Sequence, residues 1–404
     1  MINSNFVSRL LTAALLVSSM SAATPAHAQT LHVLHNFTGN GDGGTPSAGL
    51  TIDRAGNFYG TTMSGATGNG TVFKLVHMGS AWVVNTLYTF QGGTDGAAPI
   101  ARVLFGPDGA LYGTTSLGGF DGFGTVFQLR PPATACRSVS CPWTETVLYR
   151  FQGGSDGISP QYGDLTFDST GNIYGTTGGG GQQTCGGDTC GVVFKLTRSG
   201  NNWTESLPYS FSGGNDGGEP FSGVILDGSG NLYGTAYYGG DLGFGTVYEL
   251  SPSGGGWTQK TLTDFSGGGG SPLAGLTFDS HGNLFGTGFT GGTVFELQPS
   301  GGNWNYSLLE TFNGFDGPFG TLVFDAAGNI YGTNATGGAS DNGFIFKLAP
   351  SGGGWSFTDL YDFTGGNDGG FPICNVSIDA SGNLYGTTYL GGTLGEGVIW
   401  QLTP

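Results

Sequence analysis

The chain has 404 residues, of which 83 are glycine and 10% are charged, and its formal net charge at pH 7 is −17. This acidic balance argues against nucleic acid and anionic lipid as partners, because both are polyanions. The glycines recur at fixed places beside aromatic and β-branched residues, which distinguishes the chain from a disordered glycine-rich one. Composition therefore predicts a folded domain with many turns.

The first segment, residues 1–28, has the features of a secretory signal peptide. Arg9 ends a short basic region, an apolar stretch follows, and a small-x-small cleavage site ends at Ala28. We expect cleavage after Ala28 and a secreted or periplasmic protein that begins at Gln29. Without residues 1–28, 10 basic side chains stand against 28 acidic ones, a net charge of −18. No membrane span is expected, because no later stretch reaches roughly 20 apolar residues.

The motif Tyr/Phe-Gly-Thr occurs seven times after the signal segment. The copies begin at Tyr59, Tyr112, Tyr174, Tyr233, Phe285, Tyr331 and Tyr385. Successive copies are 53, 62, 59, 52, 46 and 54 residues apart. A period of this length is typical of a blade of four strands. The sequence therefore predicts an all-β fold, a seven-bladed β-propeller in one domain over residues 29–404.

One repeat divides into four short strands, here called A to D. In the fourth copy, A is residues 223–227, B is 232–236, C is 246–250 and D is 257–265. The predicted blades are residues 49–90, 101–151, 163–211, 223–265, 275–312, 320–363 and 375–403. The last repeat lacks strand D, and residues 31–37 match that strand. We expect this N-terminal strand to complete the last blade and close the ring, which removes free sheet edges.

The repeat resembles that of the GloVer-repeat family of exported proteins. The segments that carry the family pattern in the first copy are Gly49-Leu50-Thr51-Ile52-Asp53, Asn57-Phe58-Tyr59-Gly60-Thr61-Thr62 and Gly70-Thr71-Val72-Phe73-Lys74-Leu75. The likeness extends over essentially the whole chain after the signal segment. It implies a tandem-repeat array and brings no active-site residues with it.

Four of the five cysteines lie in two close pairs inside loop insertions. Cys136 and Cys141 form one pair, and Cys185 and Cys190 form the other. Pairs this close in an exported chain favour two local disulfides. A zinc site is the alternative, although the spacing is not CxxC and the pairs lie in different repeats. Cys374 precedes an apolar strand, and we expect it to be a small buried residue.

Aspartates recur in the loop between strand D and the next strand A. The clear copies of this Gly-Gly-x-Asp-Gly pattern are Asp95, Asp156, Asp216 and Asp368, and the looser ones are Asp42 and Asp316. Six carboxylates around one mouth of the propeller would suit calcium or a cationic ligand. The alternative is an Asx turn in each loop, with the following glycine at positive φ. A second series, three residues before each hairpin Gly-Asn, is expected to form turns only: Asp53, Asp168, Asp227, Asp279, Asp325 and Asp379.

Aromatic residues that break the repeat lie in two sets of loops. The B–C loops carry Phe120, Phe123, Tyr237, Tyr238, Phe244, Phe289 and Tyr389, and the D–A loops carry Tyr162, Phe221, Phe315, Phe319 and Phe371. Rings beside Asp, Asn and Thr suit stacking on sugars or holding a peptide. The alternative is that they fill gaps between glycine-rich loops and between blades.

These features lead to the hypothesis of an exported, non-enzymatic, monomeric binding module for carbohydrate or an extracellular protein partner. The predicted ligand-binding residues are Asp95, Asp156, Asp216, Asp316, Asp368, Tyr237, Tyr238, Phe244 and Tyr389. No cofactor is expected, with calcium as the alternative.

Two other functions stay open at this point. A polysaccharide hydrolase or lyase would need two carboxyl groups within about 10 Å of each other. The candidate acids are Asp121, Asp164, Glu219, Asp241, Asp341 and Glu396. The other function is a structural component of the cell envelope. Two non-repeat carboxylates in a deep channel would favour the enzyme, whereas an aromatic platform would favour binding.

Overall fold

The structure is a computed structural model. It describes residues 29–132, 143–182, 185, 189–267, 269–312 and 317–403. The predicted signal peptide, the Cys136 and Cys141 pair, Phe315 and Asp316 lie outside the described residues. Within those ranges, no helix has the length and apolar character that crossing a membrane requires.

Seven antiparallel sheets of four strands each make up the fold, and each sheet is one blade. The strand β1 (Thr30–Asn36) comes first in the chain and belongs to blade 7. Blade 1 contains β2 (Thr51–Ile52), β3 (Phe58–Thr62), β4 (Thr71–Met78) and β5 (Ala81–Thr89). Blade 2 contains β6 (Leu104–Phe105), β7 (Leu111–Thr115), β8 (Thr125–Arg130) and β9 (Thr144–Arg150). Blade 3 contains β10 (Thr166–Phe167), β11 (Ile173–Thr177), β12 (Val192–Ser199) and β13 (Asn202–Ser210).

The remaining blades repeat this order of strands. Blade 4 contains β14 (Ile225–Leu226), β15 (Leu232–Ala236), β16 (Thr246–Ser253) and β17 (Gly256–Asp264). Blade 5 contains β18 (Thr277–Phe278), β19 (Leu284–Gly288), β20 (Thr293–Ser300) and β21 (Asn303–Thr311). Blade 6 contains β22 (Val323–Phe324), β23 (Ile330–Asn334), β24 (Phe344–Ser351) and β25 (Gly354–Asp362). Blade 7 contains β26 (Ser377–Ile378), β27 (Leu384–Thr388), β28 (Val398–Thr403) and β1.

The N-terminal strand closes the ring, as the sequence predicts. In blade 7, β1 pairs antiparallel with β28, with Leu31 opposite Leu402 and Val33 opposite Trp400. The innermost strands are shorter than predicted: strand A of blade 4 spans two residues rather than 223–227. At the C-terminal end Asp227 already begins the hairpin turn, where its backbone N–H donates to the Asn231 carbonyl, and at the other end Gly223 and Val224 are not paired with β15.

The aromatic residue of the repeated motif packs against the next blade, and in the six copies with tyrosine its hydroxyl also fixes a turn. Tyr59 is buried, and its ring lies 5.0 Å from that of Phe105 and 6.2 Å from that of Trp143, both in blade 2. Its O–H donates to Asp53 Oδ2 at 3.1 Å. Equivalent hydrogen bonds run from Tyr112, Tyr174, Tyr233, Tyr331 and Tyr385. Aromatic pairs of this kind contribute about 0.5–1.5 kcal/mol each beyond their buried area.

The glycine of the motif makes room for the aromatic residue of strand C. A Cβ on Gly60 would lie 2.6 Å from the Phe73 ring, and one on Gly175 would lie 2.5 Å from the Phe194 ring. Such distances are shorter than real Cβ contacts, so any larger residue would displace a buried ring.

The threonine of the motif ties each blade to the next one. Thr61 Oγ1 donates to the Ala101 carbonyl of blade 2 at 3.0 Å, and Thr333 Oγ1 donates to the Cys374 carbonyl of blade 7 at 2.9 Å. The same bond forms from Thr176, Thr235, Thr287 and Thr387. Thr114 is the exception, because its buried hydroxyl has no partner within the described residues. The motif therefore combines a turn anchor, a packing gap and a bond between blades.

Candidate functional site

The B–C and D–A loops lie on one face of the propeller, here called the loop face. Isolated bridges join a D–A residue to a B–C residue in five blades: Gly44 to Ser64, Ala97 to Leu117, Ile158 to Gly179, Gly218 to Tyr238, and Gly370 to Leu390. Because successive strands run antiparallel, the A–B and C–D turns lie on the opposite face, here called the turn face. The two loop groups thus meet on one face, as expected.

Six D–A loops enter the next blade through a residue in the left-handed region, followed by proline. Ala98 has φ 51°, and the following Pro99 packs on Gly70 of the preceding blade, where a Cβ would lie 2.5 Å from Pro99 Cδ. The equivalent left-handed residues are Thr45, Ser159, Glu219, Ser271 and Phe371. A left-handed conformation costs a residue with a Cβ about 1 kcal/mol or more. The loop face is therefore built from strained but repeated connections.

The recurring aspartates of the D–A loops bind their own loops. Asp95 accepts hydrogen bonds from the Gln91 N–H at 2.9 Å and the Tyr88 O–H at 3.0 Å, and Gly96 follows with φ 103°. Asp156, Asp216 and Asp368 accept the same two bonds in their own loops. This is the geometry of the turn alternative. Among the described residues, no three His, Cys, Asp or Glu side chains are grouped so as to hold a metal ion. The calcium alternative stays a prediction.

The hairpin aspartates form turns on the turn face, as predicted. Asp168 Oδ1 accepts from the Thr170 and Asn172 N–H groups at 2.9 and 3.0 Å, and Oδ2 accepts from the Asn172 side chain at 2.7 Å. Burial opposes ionisation of Asp168, but the bonds from Asn172 and Thr170 outweigh it and lower its pKa to about 2. The carboxylate is therefore ionised and held in place over the physiological range.

One of the two predicted disulfides lies within the described residues. Cys185 and Cys190 are bonded in the B–C loop of blade 3. Both are buried, and they lie against Gly213 of the following D–A loop, where a Cβ would be 3.1 Å from Cys190 Sγ. Cys374 is buried as expected, and its thiol donates to the Thr387 carbonyl at 3.2 Å.

A central cavity of about 320 Å³ lies between the innermost strands. Four polar residues occupy one repeat position in its lining, directly before the apolar pair or triplet of strand A: Arg102, Asp164, Thr321 and Asn375. We call them the axial set. The same position is Gly49, Gly223 and Gly275 in the other blades. Of these four residues, the sequence indicates only Asp164 as a candidate, because it is an acid outside the repeat pattern. The other three could be found from the pattern of this position, which is glycine in three repeats and polar in four.

The axial set forms one hydrogen-bonded chain across the cavity. Arg102 Nε and Nη2 donate to Asp164 Oδ2 at 3.1 and 2.6 Å, and Asn375 Nδ2 donates to the same oxygen at 3.3 Å. Asn375 Oδ1 accepts from the Thr321 N–H at 2.7 Å. Asp164 Oδ1 is buried and has no hydrogen-bond partner within the described residues. Of the six candidate acids, Asp164 alone lines the cavity.

One aromatic residue, Tyr162, lines this cavity on the loop face. It is 36% exposed; burial, and then the charge of Tyr389, raises its pKa. Tyr237 packs against Phe221 with ring centroids 5.5 Å apart. Tyr237 thus fills a gap between loops, and neither Tyr237 nor Tyr389 lines the cavity.

The other two predicted aromatic ligand residues lie in the B–C loop of blade 4. Tyr238 is 44% exposed and Phe244 is 38% exposed. Phe244 also packs under the next D–A loop, where a Cβ on Gly270 would lie 2.7 Å from Phe244 Cβ. Neither residue lines the central cavity.

The sequence profile described as the Gloeobacter/Verrucomicrobia repeat matches residues 19–187, 142–292 and 288–404. The chain belongs to this family. The tandem matches agree with the repeats derived above, and the resemblance stated from the motifs is confirmed. A search of curated proteins finds no match.

Solved structures that resemble this Gloeobacter/Verrucomicrobia repeat protein have different assigned activities. Virginiamycin B lyase from Staphylococcus aureus has a TM-score of 0.58 at 13% identity, over 93% of this chain and 99% of that one. The extracellular domain of a protein assigned to the hybrid two component systems of B. thetaiotaomicron has a TM-score of 0.55 at 12% identity, over 92% and 39%. A protein assigned as a 6-phosphogluconolactonase from Bacteroides uniformis has a TM-score of 0.50 at 13% identity, over 79% of this chain and 84% of that one. At these identities the likeness shows the propeller fold alone.

Proposed function

We propose that this protein is an exported, non-enzymatic binding module that takes a saccharide at the mouth of its central cavity on the loop face. The observation that carries the proposal is the meeting of a partly exposed aromatic ring, Tyr162, with the polar axial set at one cavity. A cavity of about 320 Å³ is within the usual range of ligand pockets.

The chemistry of the lining suits a sugar. The apolar face of a sugar ring packs on an aromatic side chain, and Tyr162 offers one in the lining, with Tyr389 as a candidate second ring nearby. The Arg102 guanidinium has five N–H donors, and its bonds to Asp164 use Nε and Nη2. The remaining donors are available to ligand hydroxyls. A neutral ligand fits because Arg102 and Asp164 already balance each other's charge.

Export is part of this proposal. The Cys185–Cys190 disulfide supports an oxidising compartment, and the predicted signal peptide of residues 1–28 agrees with it. One of the similar solved structures is the extracellular domain of a B. thetaiotaomicron protein, which is consistent with a propeller that works outside the cell.

The hydrolase or lyase alternative has less support from the geometry. A pair of carboxyl groups acting as acid and base must face each other across the substrate. In the lining of the central cavity, Asp164 is the only carboxylate among the described residues, and it is paired with Arg102. We therefore favour binding over turnover.

Thermal unfolding of the protein with a panel of neutral oligosaccharides, each with calcium and with chelator, tests the proposal. A ligand at a hundredfold excess over its Kd stabilises by about 2.7 kcal/mol, which corresponds to a rise in Tm of about 3 °C for a chain of this length. Tyr162→Ala and Tyr389→Ala should each reduce the rise. Tyr306→Ala, which removes a 40% exposed tyrosine on strand D, is the matched control. A rise of unchanged size in both cavity variants, or no rise with any sugar, would contradict the proposal.

A further inference from the structure

A second concave site lies on the turn face, between blades 3 and 4. This junction groove has a volume of about 760 Å³. The A–B turn of blade 3 forms one wall, and the A–B and C–D turns of blade 4 form the other, including Gly228 and residues 252–256. The groove shares no lining residue with the central cavity, and it opens on the opposite side of the propeller.

Two aromatic side chains line the groove. Trp257 is half-buried, and its ring lies 6.2 Å from that of Tyr174 in an edge-to-face arrangement of 78°. The Tyr174 O–H donates to Asp168 Oδ2 at 3.2 Å, which holds the ring in place. A rigid indole in an open groove offers an apolar surface to a ligand.

The groove contains a lysine and several exposed hydroxyls. The Lys195 ammonium lies 5.2 Å from the centroid of the Tyr174 ring, with whose side chain it interacts, and it forms no ion pair in the part of the chain that the structure describes. The hydroxyls of three exposed serines in the lining have no hydrogen-bond partner there: Ser169, Ser229 and Ser253. The carboxylates of Asp168 and Asp227, in contrast, are fixed by their turns.

The charge of the groove restricts the ligand. Two ionised aspartates against one lysine leave a net charge of −1, which disfavours sugar acids and phosphorylated ligands. An aromatic surface, a lysine without an ion pair, three serine hydroxyls and two fixed acceptors suit a neutral sugar with many hydroxyls.

We propose that the groove between blades 3 and 4 binds a neutral saccharide against Trp257, with Lys195 and the serine hydroxyls donating to its oxygens. This site is separate from the proposed function of the loop face, and either can hold without the other.

The groove differs from the equivalent positions at most other junctions. Where blade 3 has Lys195, blades 4 and 5 have Glu249 and Glu296. The comparable groove between blades 5 and 6 is lined by Glu296 and Trp355, so it lacks the cationic donor. At the junction of blades 6 and 7, Lys347 is present, but the N-terminal strand supplies no tryptophan. The junction of blades 1 and 2 shares the combination of tryptophan and lysine, since Lys74 and Trp143 both lie near the Tyr59 ring.

Calorimetric titration of the full protein with cellohexaose, mannohexaose, chitohexaose and, as the acidic probe, hexagalacturonate tests the site. Gly228→Trp should fill the groove, because a Cβ at Gly228 meets no atom within 4 Å and the residue does not have positive φ. Gly154→Trp is the matched control, since Gly154 has the same free space and backbone but lies on the loop face.

We expect one neutral hexaose to bind, with affinity at least tenfold weaker in Gly228→Trp and in Lys195→Met, and unchanged in Gly154→Trp. Binding must also survive Tyr162→Ala, which separates this site from the loop face. The proposal is wrong if no neutral hexaose binds, if only hexagalacturonate binds, or if Gly228→Trp binds as well as Gly154→Trp.

Discussion

Replacing the motif threonine by valine in two different blades should have opposite effects on stability. Thr333 and Thr114 occupy the same repeat position, and both are buried. Thr333 Oγ1 donates to the Cys374 carbonyl at 2.9 Å, whereas Thr114 Oγ1 has no partner within the described residues. Valine keeps the shape and removes only the hydroxyl.

The structure sets the size of each effect. Thr333→Val removes a hydrogen bond between blades and leaves a buried carbonyl without its donor, which costs about 1–3 kcal/mol. Thr114→Val removes a buried hydroxyl that is already unsatisfied, so the free energy of unfolding should stay level or rise by about 1 kcal/mol. Thr61→Val, which breaks a bond of 3.0 Å to Ala101, should behave like Thr333→Val.

Equilibrium denaturation in urea, followed by tryptophan fluorescence, measures these differences. With equal m-values, the midpoints should rank Thr114→Val at or above the unmodified protein, and Thr333→Val and Thr61→Val below it. If the free energy of unfolding falls by the same amount in all three variants, the effect would come from side-chain volume or strand propensity and not from the hydrogen bond. The account of the motif as a bond between blades would then fail.

Two further predictions concern charge and backbone. Burial, and then the nearby Asp95 carboxylate, raises the pKa of Glu145 from 4.5 to about 7. The folded state therefore binds more protons than the unfolded state between about pH 4.5 and 7, and stability falls as pH rises through that window. We compare the free energy of unfolding of Glu145→Gln with that of the unmodified protein at pH 5 and at pH 8. Because the Glu145 side chain is partly exposed, the advantage of the variant should grow by only about 1–2 kcal/mol from pH 5 to pH 8. If the difference between the two proteins is the same at both pH values, the prediction is wrong. Ala98 has φ 51°, so Ala98→Gly should leave Tm level or raise it by about 1 °C. Gly96 has φ 103° and lies against buried Thr115, so Gly96→Ala should lower Tm by several degrees. Equal Tm shifts of the two variants in calorimetry would refute the strain argument.

Most of the fold could be predicted from the sequence because each motif residue meets the same local surroundings in most blades. Tyr59 needs an aspartate six residues earlier, and Gly60 needs an aromatic residue on strand C, and both requirements are visible as spacing. The missing strand D of the last repeat indicated closure by residues 31–37 for the same reason. The length of strand A was overestimated, because pairing along it ends where the turn of Asp227 begins.

The candidate site was harder to predict because its residues come from distant repeats. Arg102 and Asn375 are far apart in the chain and meet Asp164 only after the ring has closed. The role of the D–A aspartates was also left open, since the sequence shows the acceptor Asp95 but not that Tyr88 and Gln91 supply its donors. Local spacing predicts local bonds, and it does not predict which irregular residues face the axis.

The pairing of β1 with β28 also sets the order in which the protein can be completed. A chain that crosses a membrane from its N-terminus delivers β1 first, and its partner strand Val398–Thr403 last. Blades 1 to 6 can form from neighbouring segments in turn, but blade 7 has to wait for both ends of the chain. Throughout that interval β1 is an unpaired strand open to pairing with other chains. If the protein is exported as proposed, chaperone protection during translocation matters most for residues 30–36, the first strand of the fold to emerge and the last to be paired.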